Sequence, residues 1–277
     1  MKHTIMILAT ATLVFATLTT PSAGKDDKKK NDSKWSGKTE KEIINLDYAV
    51  GKNARLSLSN LNGGATITGW DKKTIEVTAT KRAGSREFLD DATVQADLKD
   101  DHLRIEVDYA FDDGERYIDS DFVSVEFEIR VPRSIEIDRI ELVNGGIDIA
   151  DLSGEVNAAS VNGDVIGEKL SGDTRLSTVN GDVSLSSVAG HDAVTLSSVN
   201  GSVTLYLPRD VNAKLSASTV HGDIRGDLGH GVTHAGNSMD AVLGTGGPRI
   251  ALGTVNGDIR IRRAGSDARD DSDDDSD

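Results

Sequence analysis

A five-residue phrase, Val-Asn-Gly-Asp-Val, recurs along this chain and constrains the fold more than any other feature. It begins at Val161 and at Val179, close variants begin at Val199, Val220 and Val255, and looser copies begin at Leu61 and Val143. Its second residue is asparagine or histidine, at positions 144, 162, 180, 200 and 221 in the regular part. A short, nearly constant period of this kind indicates one structural unit stacked on itself.

The sequence between 41 and 263 has the alternation of apolar and polar residues that is typical of β-strands. Examples begin at Arg55, Thr74, His102 and Val123, and only the stretch from Arg86 to Asp91 suggests a helical turn. The chain is therefore predicted to be all-β. Pro132 ends the fourth of these strands, because proline cannot donate a ladder hydrogen bond. We expect an N-terminal β region at 41–132 and a repeat region at 133–263.

Two architectures fit the repeats. Asn-Gly between alternating strands is a strong hairpin signal, which would give an antiparallel β meander or sandwich. Equivalent positions in every repeat carry the same residue type, however, and this favours a single-chain parallel β-solenoid in which those positions stack on each other. The segment 226–247 is rich in glycine and breaks the period, so it is predicted to be a long loop or one degenerate rung.

The repeat positions can be numbered from the asparagine, taken as position 0. Positions −4, −1 and +3 are small or aliphatic in the regular copies and are predicted to form the core, whereas position −2 is mostly serine or threonine. In neighbouring rungs, about 4.8 Å apart, the position 0 side chains are expected to hydrogen-bond along the stack. The predicted structural ladder consists of Asn144, Asn162, Asn180, Asn200, His221 and Asn256.

Both ends of the chain differ from the β-rich middle. Residues 1–23 have the layout of a secretory signal peptide, with a basic start, a short apolar run and small residues at Ser22 and Ala23. Residues 24–40 are predicted to be a charged disordered linker and 264–277 an acidic disordered tail. The chain has no cysteine, so lipoprotein attachment and disulfides are excluded. We expect an exported protein of the periplasm or the extracellular space, with no membrane span after signal cleavage.

The net charge of −15 disfavours two classes of partner. Nucleic acids and anionic membranes are bound through clustered lysine and arginine, which this chain does not offer. An envelope protein or a polysaccharide is the expected partner.

Chemistry-bearing residues give little support to catalysis. The sequence contains no cysteine nucleophile, no Gly-x-Ser-x-Gly elbow, no His-Glu-x-x-His motif and no phosphate-binding loop. Catalytic residues, cofactors and metals are therefore predicted to be absent. The weak alternatives for a zinc ligand set are His221, His230 and His234, which lie in or beside a glycine-rich segment where His-x3-His is a poor metal signal.

The recurring phrases, the strand that ends at Pro132 and the glycine-rich approach to Ile250 resemble the bacterial putative-adhesin, or toast-rack, domain family. The resemblance runs from about 45 to 262. It implies an all-β solenoid at the cell envelope, often connected with membrane stress, and supplies no catalytic residues. The sequence thus predicts a non-enzymatic, adhesin-like interaction scaffold. The alternative is a carbohydrate-active enzyme of the polysaccharide-lyase kind on a β-helix.

Overall fold

The computed structural model of the chain describes residues 39–110, 123–187, 193–208, 210–226, 228 and 232–263. The predicted signal peptide, most of the linker and the acidic tail lie outside these residues. The described part contains one short helix, α1 (Arg86–Asp90), at the place where the sequence suggests a helical turn. No helix among these residues has the length and apolar character needed to cross a bilayer.

The remaining elements are strands, so the all-β prediction is confirmed. In chain order they are β1 (Glu40–Ala49), β2 (Arg55–Asn62), β3 (Ala65–Trp70), β4 (Thr74–Ala83), β5 (Ala92–Lys99), β6 (His102–Tyr109), β7 (Ser124–Pro132), β8 (Glu136–Asn144), β9 (Ile147–Ala150), β10 (Val156–Asn162), β11 (Val165–Leu170), β12 (Thr174–Asn180), β13 (Val183–Ser187), β14 (Val194–Asn200), β15 (Val203–Leu207), β16 (Ala213–His221), β17 (Ile224–Gly226), β18 (Val232–Ala235), β19 (Ser238–Leu243), β20 (Arg249–Asn256) and β21 (Ile259–Arg263).

The strands form two large sheets, and each repeat contributes one strand to each. Sheet A has the order β1-β4-β7-β3-β9-β11-β13-β15-β21-β17. Sheet B has the order β18-β19-β16-β20-β14-β12-β10-β8-β2-β6-β5. A rung therefore consists of a strand in sheet B, an Asn-Gly corner and a strand in sheet A.

Neighbouring rungs pair in parallel and in register. Strand β10 pairs with β12 so that Asn162 lies opposite Asn180, and β11 pairs with β13 so that Val165 lies opposite Val183. The two strands of one repeat lie in different sheets and do not form a hairpin. This pairing fits the predicted parallel solenoid and differs from the antiparallel meander that the Asn-Gly corners also allowed.

The two sheets continue through the expected boundary at 132. The looser copy of the phrase forms its own rung from β2 and β3, in which Asn62 pairs with Asn144 and Ala65 with Ile147. Antiparallel strands complete this end: β1, β4 and β7 in sheet A, and β5 beside β6 in sheet B. The N-terminal region is thus the first part of one continuous stack of rungs formed by the two sheets, here named the rack.

At the other end, the order of rungs in space differs from their order in the chain. The rung of β20 and β21 lies between the β14/β15 rung and the β16/β17 rung. The segment 226–247 is neither a long loop nor a degenerate rung, because β18 and β19 form an antiparallel hairpin that pairs with β16. The hairpin buries Met239 and Leu243 at the end of the core.

The core lies between the two sheets, and it corrects one part of the predicted pattern. Positions −4 and +3 are buried, as in Leu176 and Val183. The position −1 valines are exposed instead, and Val179 is 39% accessible. The reason is the period of two in a strand: the hydroxyl side chain at position −2 points inward, so the valine after it points outward.

The corners require glycine because the chains approach each other closely there. A Cβ atom at Gly163 would lie 2.3 Å from the carbonyl oxygen of Gly145 in the next rung. No side chain fits in that space, which explains why glycine follows the asparagine in every copy of the phrase.

Candidate interaction surface

A ladder of asparagine amides runs along the corners of the rack. Each Nδ2 donates to the Oδ1 of the neighbouring rung over 2.8–2.9 Å, in the order Asn256, Asn200, Asn180, Asn162, Asn144 and Asn62. His221 lies beside Asn256 in the strand register, and its backbone carbonyl accepts from Gly257. These hydrogen bonds between side-chain amides are exposed. The last member of the ladder is Asn62, which was not among the predicted ladder residues.

The aspartate side chains at position +2 accept hydrogen bonds from backbone N–H groups of the neighbouring rung. The Oδ1 of Asp164 accepts from the backbone N–H of Asp182 at 2.8 Å, and the Oδ1 of Asp182 accepts from that of Ser202 at 2.7 Å. The Oδ1 of Asp258 accepts from Asp223 in the same way at 3.0 Å. This backbone hydrogen bond, followed by the nearby Arg260, lowers the pKa of Asp258. These carboxylates therefore connect successive corners.

The position −2 hydroxyls are buried and bind glycine carbonyls in the neighbouring rung. The donor and acceptor pairs are Ser160 and Gly145, Thr178 and Gly163, Ser198 and Gly181, Thr254 and Gly201, and Thr219 and Gly257, at 2.8–3.0 Å. Sequence patterning identified the column but not its direction. Serine or threonine next to valine in a strand allows either residue to face the core. The choice depends on the geometry of the corner, where the hydroxyl binds a glycine carbonyl.

The outer side of sheet B, from β10 to β16, has a part almost without charge, here named the neutral face. Lys214 and Arg249 lie beyond it, at the start of β16 and β20. Three columns of outward residues form it: positions −1, −3 and −5 of β10, β12, β14, β20 and β16. Position −3 carries only small residues, namely Ala159, Ser177, Ser197, Gly253 and Ser218. The one charged side chain in the three columns is Arg175, and it is paired with Glu155 at 2.9 Å.

The valines of position −1 form the apolar border of the neutral face beside the amide ladder. In rung order they are Val161, Val179, Val199, Val255 and Val220, and Val143 continues the row on β8. Their accessibility ranges from 36% at Val143 to 56% at Val220. A row of exposed aliphatic residues next to a column of small residues is suited to contact with another surface.

The histidines that were considered as zinc ligands do not form a cluster in the described residues. His221 ends β16, while His234 lies on β18, two strands away in sheet B. His230 lies outside the described residues. Among those that are described, no group of three or more potential ligands could hold a metal ion.

The side chains of Ser57, His102 and Asp138 meet on sheet B, and this cluster was not predicted from the sequence. The Ser57 hydroxyl lies 2.8 Å from the His102 Nε2 and 3.3 Å from an Asp138 carboxylate oxygen. No motif connects these residues, since three different strands supply them. In a catalytic triad the carboxylate orients the other imidazole nitrogen. Here the Nδ1 of His102 is buried without a hydrogen-bond partner and Asp138 is on the Nε2 side, so the arrangement lacks that orienting contact.

The fold and the surface define a class: a repetitive all-β rack with two mostly parallel sheets. Residues 133–262 match the family model described as Toastrack DUF4097. These residues are similar to the toast-rack family, so the predicted resemblance is confirmed over this part of the chain.

Matches among solved structures come from several bacteria. A putative cell adhesion protein from Clostridium sporogenes is 16% identical with a TM-score of 0.48, and the match covers 82% of this chain and 100% of that one. A putative adhesin from Bacteroides fragilis is 13% identical with a TM-score of 0.29, covering 80% and 96%. A putative lipid binding protein from Parabacteroides distasonis is 10% identical with a TM-score of 0.30, covering 83% and 98%. No curated protein matches the chain.

Proposed function

We propose that this protein is an exported, non-enzymatic interaction scaffold of the bacterial envelope that binds its partner through the neutral face. The observation that carries the proposal is the near absence of charge from three adjacent columns across five strands, in a chain whose net charge is −15. The centre of a protein interface is depleted in charged residues, because each buried charge must give up its hydration. The neutral face meets this condition without rearrangement.

The chemistry of the face favours a polypeptide partner over a polysaccharide. Its outward columns contain valine, alanine, serine, threonine, asparagine, one glycine and one arginine, and no aromatic ring on which a sugar could stack. Small side chains at position −3 let another backbone approach closely. The valine row then supplies apolar contacts along the border.

Export and the envelope location belong to the same proposal. They rest on the signal-like residues 1–23 and on the family resemblance. The absence of cysteine means that neither folding nor attachment in an oxidising compartment depends on thiol chemistry.

The proposal is tested by a matched pair of double variants on the two outer faces of the same rungs. Ser177→Glu with Ser197→Glu places two charges opposite each other on the neutral face. Ser184→Glu with Thr204→Glu does the same on sheet A. The tagged protein from residue 24 onward is used to capture proteins from envelope fractions. The neutral-face variant is expected to lose a partner that the wild type and the sheet A variant both retain.

Equal capture by both variants, or no partner for the wild type, would contradict the proposal. The enzymatic alternative is tested separately by incubating the wild type with acidic and neutral polysaccharides. We expect no new reducing or unsaturated ends, because the described residues contain no group that could hold a metal ion and His102 lacks the orienting contact of a catalytic triad.

A further inference from the structure

A cleft of about 510 Å³ opens at the corners of the first two rungs, away from the neutral face. It lies where both copies of the phrase have glycine at position +2, whereas four of the five regular copies have aspartate and the other has serine. The residues are Gly64 in the β2/β3 rung and Gly146 in the β8/β9 rung. Asn62, Asn144, Thr66, Ser124, Glu126 and Asp148 also line the cleft.

The missing aspartates leave backbone donors without their usual acceptor. In the regular rungs the position +2 carboxylate accepts from the next position +2 N–H, as Asp164 does from Asp182. A Cβ atom at Gly64 would lie 3.7 Å from the nitrogen of Gly146, and one at Gly146 would lie 3.9 Å from the nitrogen of Asp164. Within the described residues, neither of these two N–H groups donates to a protein acceptor.

The amide ladder ends in the same cleft. Every Nδ2 in the ladder donates toward the β2/β3 end, so Asn62 accepts from Asn144 and its own Nδ2 has no further asparagine to reach. Two of these donors, the N–H of Gly146 and the Nδ2 of Asn62, belong to residues that line the cleft, and neither donates to a protein acceptor among the described residues. An unpaired donor favours any ligand that offers an acceptor there.

Carboxylates supply the acceptors. Glu126 is held in place by the N–H of Gly64 at 2.9 Å and by the hydroxyl of Ser124 at 3.3 Å. Partial burial, followed by the nearby Glu168 and Asp164, raises the pKa of Asp148. No lysine or arginine is among the residues that line the cleft.

This combination selects one class of ligand. An anion would accept from the N–H groups but would be repelled by Glu126 and Asp148, and a cation would pair with the carboxylates but leave the N–H groups unused. A hydroxyl group both accepts from an N–H and donates to a carboxylate through the same oxygen. We propose that the cleft at Gly64 and Gly146 binds a neutral polyhydroxylated ligand, a sugar unit.

The repeat itself supplies the test variant and its control. Gly146→Asp introduces the residue that most regular rungs carry, and its Cβ meets nothing closer than 3.4 Å, so the fold is retained while the cleft is filled. Ser202→Asp introduces the same side chain at the same repeat position outside the cleft. As a second variant, Asp148→Asn removes a carboxylate acceptor with almost no change in size.

Binding is measured by saturation-transfer NMR with glucose, galactose, mannose and N-acetylglucosamine as probes, and with spermidine as a cationic comparison. The wild type and Ser202→Asp are expected to bind at least one sugar saturably. Gly146→Asp and Asp148→Asn should weaken that binding about tenfold or more, in keeping with lost hydrogen bonds to charged or backbone groups.

The proposal is overturned if no sugar binds the wild type, if both cleft variants bind as well as the control, or if only spermidine binds. The neutral-face variant Ser177→Glu with Ser197→Glu should bind the same sugar as the wild type. Failure of the cleft proposal and failure of the proposed scaffold function are therefore distinguishable.

Discussion

Asn180 shows how single side chains in the rack depend on their neighbours in adjacent rungs. Its Nδ2 donates to Asn162 at 2.8 Å and its Oδ1 accepts from Asn200 at 2.9 Å. The amide is exposed, so water competes for both groups and the net contribution of each bond is small. The ladder matters for stability through repetition, since the same small contribution to the free energy of folding recurs along the corners.

Asn180→Ala is expected to lower the free energy of unfolding by about 1 kcal/mol, because it breaks two exposed hydrogen bonds. Urea denaturation followed by circular dichroism measures the change. Asp182→Asn is the control and should be nearly neutral, since an amide oxygen can still accept from Ser202. Identical effects of both substitutions would show that the ladder contributes nothing specific.

Substitutions in the buried hydroxyl column at position −2 should lower the free energy of unfolding by more than substitutions in the exposed ladder. Thr178→Val keeps the shape but leaves the carbonyl of Gly163 without its 2.8 Å donor, so we expect a loss of about 1–3 kcal/mol. Thr178→Ser keeps the hydroxyl, and serine already occupies this position at Ser160 and Ser198. If the serine variant were the less stable one in urea, packing of the methyl group rather than the hydrogen bond would dominate.

His102 gives the stability a predictable dependence on pH. Burial, followed by the nearby Arg104 and Arg55, lowers its pKa from the usual 6.5, and Asp138 and Glu136 oppose the shift only in part. The unfolded chain therefore takes up a proton at a higher pH than the folded chain does. The contribution to stability is complete above about pH 6.5 and is lost as the pH falls from there through the lower pKa of the folded state.

The measurement is the urea midpoint of wild type and His102→Gln between about pH 5 and 7.5, a window above most carboxylate titrations. The wild type should lose stability toward pH 5, and the variant, which can still accept from Ser57, should be flatter. Parallel curves for the two proteins would refute the assignment to His102.

The sequence could predict the residue columns but not all of their directions. Asn162 and Val165 lie in register with Asn180 and Val183, and their columns can be recognised in the sequence because nearly every copy carries a similar residue there. Val161 was expected in the core and is exposed, since valine beside threonine reads equally well on either face of a strand. The cleft at Gly146 was beyond prediction, because it depends on Glu126 and Asp148 arriving from separate strands.

Among the elements, the β20/β21 rung connects the end of the rack to its middle. Among the described strands of sheet B, β16 pairs with β20 on one side and with β19 on the other. Strand β17 pairs only with β21 among the described strands. Chain order alone would place these rungs one after another, and nothing local in the sequence shows that the last rung inserts before its predecessor.

Truncation after residue 248 should therefore release more than the deleted strands. We expect hydrogen exchange in 213–221 and 238–243 to become fast, because β16 and its hairpin lose their attachment to β14. Deletion of 264–277 alone is the control and should leave the melting temperature almost unchanged. Protection of 213–221 in the longer truncation would mean that the β16 to β19 unit is stable on its own.

For the whole molecule, the two faces of the rack have different chemistry although the same repeats build both. Sheet A carries charged side chains such as Glu168 and Arg260, whereas sheet B carries the neutral face over the same rungs. The sequence predicted an extended binding surface and its repetitive nature. It did not show which side was uncharged, because that depends on which residues of each strand point outward.

A photo-crosslinking amino acid placed on each face tests the neutral face most directly. Ser197 lies at the centre of the neutral face and Thr204 lies on the outer side of sheet A in the same rung. After irradiation of cells that express the protein, we expect a discrete adduct with one envelope polypeptide from position 197 and none from position 204. Adducts from position 204 alone, or from neither position, would contradict the neutral face as the binding surface.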